Sequence, residues 1–164
     1  MTRLTHVDDH GRAHMVDVSG KEASARTARA VGSLTCLPET LKEVRAGTAP
    51  KGSVIRTAEL AGIMAAKRTA ELIPLCHPLP LTKAEVRIDI DDDLPGFRVE
   101  AEVRTNSITG VEMEALTAVS IACLTLFDML KTIDRSMVIG GVEMLSKTGG
   151  KSGDWGRTAG SSGE

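Results

Sequence analysis

The sequence predicts an α+β fold of roughly ferredoxin-like layout, an antiparallel sheet covered by helices on one face. Three observations carry that prediction. Leu81 to Asp91 alternates with a period of two, setting Ala84, Val86, Ile88 and Ile90 against Glu85, Arg87 and Asp89. Phe97 to Arg104 repeats the pattern, with Phe97, Val99, Ala101 and Val103 opposite Arg98, Glu100, Glu102 and Arg104, and the Asp-Asp-Leu-Pro-Gly stretch between them makes the two an antiparallel hairpin. Two helix-length segments then carry alanine-rich apolar stripes able to cover the hairpin's inner face.

The remaining elements follow in chain order. Thr27 to Leu37 reads as a strand, and Glu39 to Ala46 as a short helix that Pro38 opens and Gly47 closes. After the loop Gly47 to Gly52, Ser53 or a neighbour caps a longer helix to about Leu72, with Val54, Ala58, Ala61, Ala65 and Leu72 at helical spacing. The second long helix runs from about Gly110 to Thr132, with Val111, Ala115, Ala118, Ala122 and Leu126 as its stripe, and Met137 to Leu145 returns as a strand. A single catalytic domain over residues 1–147 and a mobile Gly/Ser-rich tail over 148–164 are expected. The strand order stays open.

Composition excludes several functions. A net charge of -2 gives no global attraction for nucleic acid, and an aromatic fraction of 2% without tyrosine leaves no stacking platform for single strands. The three cysteines, Cys36, Cys76 and Cys123, form no C-x-x-C pair and read as reduced thiols. The start of the chain lacks an apolar signal core, and no run of about 18 apolar residues is expected to span a bilayer, so the expectation is a cytoplasmic protein with neither membrane nor nucleic acid as partner.

Candidate chemistry begins at Ile73-Pro-Leu-Cys-His-Pro-Leu-Pro80, where three prolines hold the backbone extended around Cys76 and His77. His77 could bind a ligand or shuttle a proton, while Cys76 is either a packing thiol or a nucleophile. Glu112 and Glu114 open the second long helix, where they could complement the helix dipole or accept hydrogen bonds from a ligand. Asp128 and Lys131 stand three apart on a helix with no charge from Ala115 to Phe127, which implies burial and therefore a functional pair rather than an ordinary surface ion pair. Glu114 and Asp128 share a helix face but lie about 21 Å apart at about 1.5 Å per residue. One small reacting centre cannot touch both, so either the ligand is long or the site is assembled between chains.

Several cations suit a phosphate-rich ligand: Arg26 and Arg29, Lys51 in its glycine loop, Lys67 and Arg68 on the first long helix, and Lys147 and Lys151 near the tail. Gly149-Gly-Lys-Ser resembles part of a P-loop but lacks the full spacing and the following helix, which rejects that class of nucleoside triphosphatase. No metal-ligand cluster is legible and no cofactor is required, although Mg2+ could accompany a triphosphate. On residues alone, a non-catalytic purine-nucleotide-binding regulatory subunit and a structural assembly protein remain alternatives.

Taken together the motifs closely resemble the cyclic pyranopterin monophosphate synthase family, the C proteins of molybdenum cofactor biosynthesis. The resemblance runs through Leu4-Thr-His, His14-Met-Val-Asp-Val-Ser19, Ala65-Ala-Lys-Arg-Thr, Leu72-Ile-Pro-Leu-Cys-His-Pro-Leu79 and Thr109-Gly-Val-Glu-Met-Glu-Ala-Leu-Thr117. It continues in Phe127-Asp-Met-Leu-Lys131 and Lys147-Thr-Gly-Gly-Lys-Ser-Gly-Asp154. It implies a lyase that converts (8S)-3′,8-cyclo-7,8-dihydroguanosine 5′-triphosphate into cyclic pyranopterin monophosphate and pyrophosphate. It also implies a homohexamer, a trimer of dimers, with active sites at subunit interfaces. By resemblance, Leu75, Cys76, His77, Met113 and Glu114 line the substrate pocket and Glu112 helps hold the purine-derived ring. Asp128 and Lys131 carry proton transfers, and Lys51 counts among the catalytic residues. Arg26, Lys51 and Lys147 face the triphosphate, and Lys67 belongs to the substrate-binding set. One departure is Asn106-Ser-Ile108, where family members commonly have glycine followed by a basic residue.

Overall fold

The structure, a computed structural model, describes residues 5–157 apart from 50 and 52. Leu4, two residues of the expected glycine loop and residues 158–164 of the expected tail therefore lie outside the described residues. Five strands form one sheet: β1 (Ser24–Thr35), β2 (Leu81–Asp91), β3 (Gly96–Ser107), β4 (Val138–Thr148) and β5 (Trp155–Gly156). Their order is β2-β3-β1-β4-β5, and every neighbouring pair is antiparallel. Helices α1 (Pro38–Ala46), α2 (Val54–Lys67), α3 (Thr69–Leu72) and α4 (Glu112–Leu130) complete the chain. The β1-helix-β2 crossover leaves a gap that β3 fills, and the β3-α4-β4 crossover puts β4 on the far side of β1, which gives the expected ferredoxin-like layout its strand order.

The alternation in the hairpin sets the layers. Phe97, Val99, Ala101 and Val103 of β3 are buried, as are Val86 and Ile88 of β2 and Ala28, Ala30 and Leu34 of β1. The opposite face is a carpet of ion pairs, cross-strand in Arg29–Glu100 and in Lys83–Glu102 at 3.1 Å, and along β3 in Arg104–Glu102 at 2.7 Å. α2 and α4 cover the apolar face and pack on each other. Their contact is made of small side chains, Ala58, Gly62 and Ala65 of α2 against the Ala115, Ala118 and Ala122 stripe of α4. A Cβ at Gly62 would lie 2.8 Å from the Ala118 carbonyl oxygen and 3.0 Å from Val86 Cγ2.

Three expectations change. The long helix expected to run to Leu72 breaks at Arg68 (φ -112°, ψ 12°), because the buried Thr69 hydroxyl turns back to the carbonyls of Ala65 and Ala66 at 3.3 and 3.0 Å. Part of the expected tail joins the sheet, since Trp155–Gly156 pairs with Ser146 and Lys147 of β4. Gly149 and Gly150 make the intervening turn with φ of 85° and 82°, a conformation that glycine adopts freely. Finally, α4 is long and apolar enough to cross a bilayer by length and composition, contrary to the expectation that no such segment exists. It is apolar on most sides because α2, β1 and β3 pack around it.

After α4 the chain is secured by Asp134, a buried carboxylate that accepts hydrogen bonds from Leu37 N, Thr40 Oγ1, Ser136 N and Ser136 Oγ at 2.7–3.0 Å. The start of α1 is thereby tied to the turn that follows Lys131. Gly62→Ala is expected to lower stability by about 1–2 kcal/mol, because overpacking strain of about 1–3 kcal/mol exceeds a helix-propensity gain of about 1 kcal/mol. Urea unfolding of the variant and the parent checks it.

Candidate functional site

One end of α4 forms a pocket. Pro74, Pro78 and Pro80 cannot continue α3, so the chain runs extended across the helix start and presents Leu75, Cys76 and His77 there. Glu112, Met113 and Glu114 come from the first turn of α4, and Val16, Val18 and Lys21 from the segment before β1. The cavity measures about 350 Å³. His77 Nε2 lies 2.8 Å from the Val16 carbonyl oxygen, so Nε2–H donates to it.

The two carboxylates of the first turn differ. Glu112 meets Lys147 Nζ at 3.3 Å, and the same ammonium donates to Ser152 Oγ at 2.8 Å. Glu114 is only 5% exposed, and among the described residues no hydrogen bond from another residue reaches its carboxylate. Burial first, with the charge of Glu112 adding and its own amide opposing, pushes its pKa up to about 6. Burial and then the Glu114 charge also raise the Cys76 thiol, which favours the packing reading over a nucleophile.

A second, cationic cleft of about 820 Å³ adjoins this pocket, with Lys21 lining both and Arg26, Lys151 and Ser152 lining the cleft. Arg26 donates through Nε to Ser107 O at 3.0 Å and through Nη2 to Ile108 O at 3.1 Å, so it also shapes the turn that leads into α4. Its Nη1 faces Gly150, where a Cβ would collide with it.

At the other end of α4, Asp128 holds two lysines. Its Oδ1 is 2.8 Å from Lys131 Nζ and its Oδ2 is 2.8 Å from Lys51 Nζ, which also donates to the Asp128 main-chain oxygen at 3.0 Å. The expectation of burial is corrected here: the side chains of Asp128, Lys131 and Lys51 are 56%, 52% and 40% exposed. Asp128 lies on the outward face of α4 with the exposed Leu124, while Met129 and Leu130 next to it are buried. Lys131 and then Lys51 pull the Asp128 carboxyl down to about 2.

The structure thus gathers Leu75, Cys76, His77, Glu112, Met113, Glu114 and Lys147 at one end and Arg26 beside them, and it sets Lys51, Asp128 and Lys131 about 21 Å away along the helix. Lys67 is exposed at the last turn of α2 and lines neither pocket nor cleft. Lys21, which joins pocket to cleft, escapes the sequence because it sits in an irregular segment with no periodicity to place it. Its one signal is its position after Ser19-Gly20, within reach of the His14–Ser19 motif. Among the described residues, no three His, Cys, Asp or Glu side chains gather as a metal site would require.

Residues 15–150 match the MoaC family. The chain is 60% identical over 155 residues to the cyclic pyranopterin monophosphate synthase of Methylobacterium sp. (strain 4-46), covering 94% of this chain and 97% of that protein. It is 59% identical over 152 residues to the protein of the same name from Nostoc sp. (strain PCC 7120 / SAG 25.82 / UTEX 2576), covering 93% and 90% respectively. With matches of this extent over both ends of α4 and the segments around them, the chain belongs to the MoaC family.

Proposed function

We propose that this chain is a lyase of molybdenum cofactor biosynthesis, converting (8S)-3′,8-cyclo-7,8-dihydroguanosine 5′-triphosphate into cyclic pyranopterin monophosphate and pyrophosphate. The observation that carries the reading is Glu114, a buried acceptor in a pocket that shares Lys21 with a neighbouring cationic cleft. The N1–H and 2-amino group of a guanine-derived ring are donors that such a carboxylate can accept from. The triphosphate then extends into the cleft, where Lys21, Arg26 and Lys151 oppose its charge, with Lys147 beside Glu112. Mg2+, where used, arrives on the phosphates.

Ring opening and closure on a dihydropurine need protons delivered and removed, and the Lys51, Asp128 and Lys131 cluster is the acid–base equipment for it. Expelling pyrophosphate needs cations at the leaving group. Because pocket and cluster are about 21 Å apart on one helix, we assign them to different copies: the pocket of one chain faces the cluster of another in a homohexamer built as a trimer of dimers. Leu60, Met64, Leu72 and Leu124, large apolar side chains exposed on the outer helical face, support such an assembly.

Incubation with the cyclic triphosphate followed by mass spectrometry tests the reading: product and pyrophosphate are expected, whereas retention of unchanged ligand would leave a non-catalytic binding subunit. Lys131→Ala and Lys51→Ala should each slow product formation by about 10²-fold or more, with thermal unfolding unchanged because the cluster is exposed. Mixing Lys131→Ala with Glu114→Gln, then dissociating and reassembling, should restore roughly a quarter of wild-type activity, since random pairing leaves that share of sites with both halves intact. No recovery would place the whole site within one chain. Glu114 also predicts a pH effect. Ligand donors favour its ionised form, so affinity for guanosine 5′-triphosphate should be present above a pH of about 6 and fall as pH drops through it. Calorimetric titration of Glu114→Gln should show that this dependence has gone.

A further inference from the structure

We propose that His6 is a further ligand-contacting residue of the ring pocket, carried there by an N-terminal hairpin that His77 latches, and that it donates a hydrogen bond to the carbonyl oxygen of the guanine-derived ring. The contact presupposes the ring-binding role assigned above to Glu114.

Thr5 and His6 line the same pocket as Glu112 and Glu114, although they arrive from the other end of the chain. They belong to a small antiparallel hairpin in which Val7 pairs with Ala13, and in which Asp8 N donates to Arg12 O and His14 N to His6 O, both at 3.0 Å. Its turn closes on itself: Asp8 Oδ1 accepts from His10 N and Arg12 N at 2.8 and 2.9 Å. From Thr5 to Met15 every residue except Asp8 is exposed, so the hairpin has no core of its own, and a lone two-stranded hairpin is at best marginally stable in water. Its placement must therefore come from where its returning limb is anchored. Val18 is buried, and His77 Nε2–H donates to the Val16 carbonyl oxygen at 2.8 Å. The second anchor is the one that reaches His6, because Val16 stands two residues beyond His14, whose amide holds the His6 carbonyl.

The edge of the ring shows what His6 adds. A guanine-derived ring presents two donors, the 2-amino group and N1–H, and then one acceptor, the carbonyl oxygen. Glu114 can take the donors, but the neighbouring carbonyl loses its water on entering the pocket and needs a donor in return. His77 has its Nε2–H committed to Val16, and Lys21 is shared with the cationic cleft. An imidazole carries an N–H whether or not it is charged, so His6 supplies that donor in either state.

Calorimetric titration with guanosine 5′-triphosphate and its 6-thio analogue tests the contact, because sulfur is the poorer acceptor while N1–H and the 2-amino group stay in place. The wild-type protein should prefer the oxygen nucleotide by about fivefold, the worth of one ordinary hydrogen bond, and His6→Ala should bind the two alike. His77→Phe, which keeps a ring but no donor for Val16, should also lose the preference although His6 is intact, and His77→Gln should regain part of it. A His6 that only shapes the hairpin would weaken both nucleotides equally and leave their ratio unchanged. That unchanged ratio in His6→Ala, a wild-type preference kept by His77→Phe, or no preference in the wild-type protein would each overturn the inference. Product formation from the cyclic triphosphate, followed by mass spectrometry, reports on the reaction separately: product without a nucleotide preference sinks the His6 contact alone, whereas absence of product sinks the assigned reaction.

Discussion

The seat of α4 against α2 is the constraint on which the rest depends. Two helices whose interface is lined by alanine and glycine approach until backbone nearly meets side chain, and at Gly62 there is no room for even a methyl group beside the Ala118 carbonyl. That contact, together with the sheet beneath, fixes the rotation of α4 about its axis. Rotation decides which side chains of the first turn face inward, so the burial of Glu114 and the opening of Glu112 toward Lys147 are consequences of helix packing. The same rigid helix presents Asp128 on its outward face at the far end, where it meets Lys51 from the loop between α1 and α2.

Two carboxylates on one helix thereby acquire opposite characters. Burial penalises the charge of Glu114, and Glu112 adds repulsion, so it ionises only near a pH of about 6 and gains most from donors brought by a ligand. Asp128 stands in solvent between two cations, which hold it ionised throughout the physiological range. The first is suited to recognition, since a buried carboxylate with accepting capacity to spare favours ligands that bring donors. The second is suited to holding other charges in place.

Much of this was legible in the sequence, for identifiable reasons. A period of two in the hairpin and of 3.6 in the alanine stripes depends only on which face is buried, so the α+β class and the covered face could be read directly. The strand order could not, because it is set by crossover packing rather than by any local pattern. The break after Arg68 depended on one hydroxyl choosing the carbonyls behind it over solvent, a choice that helical spacing does not encode. At the site, Cys76, His77, Glu112 and Glu114 were legible because prolines and a helix start confine them. Lys21 was not, since only the folded path of an irregular segment brings it between pocket and cleft. The inference of burial at Asp128 and Lys131 failed because a run without charge is not buried on every side: Met129 and Leu130 beside them are core residues, while Leu124, Asp128 and Lys131 share the outward face of the helix end.

That failure bears on how such a cluster can exist. Burying two ammoniums and a carboxylate within one chain would impose a desolvation cost on folding that only near-ideal geometry recovers. Left half-exposed, the three groups weigh little on the stability of the chain. Under the shared-site reading, water is removed from them only when another copy and its ligand close over the cluster, and electrostatic interactions strengthen as the local dielectric falls. Folding and catalysis then draw on different surfaces of α4, its small-residue face holding the domain together while its two ends meet the substrate in different sites.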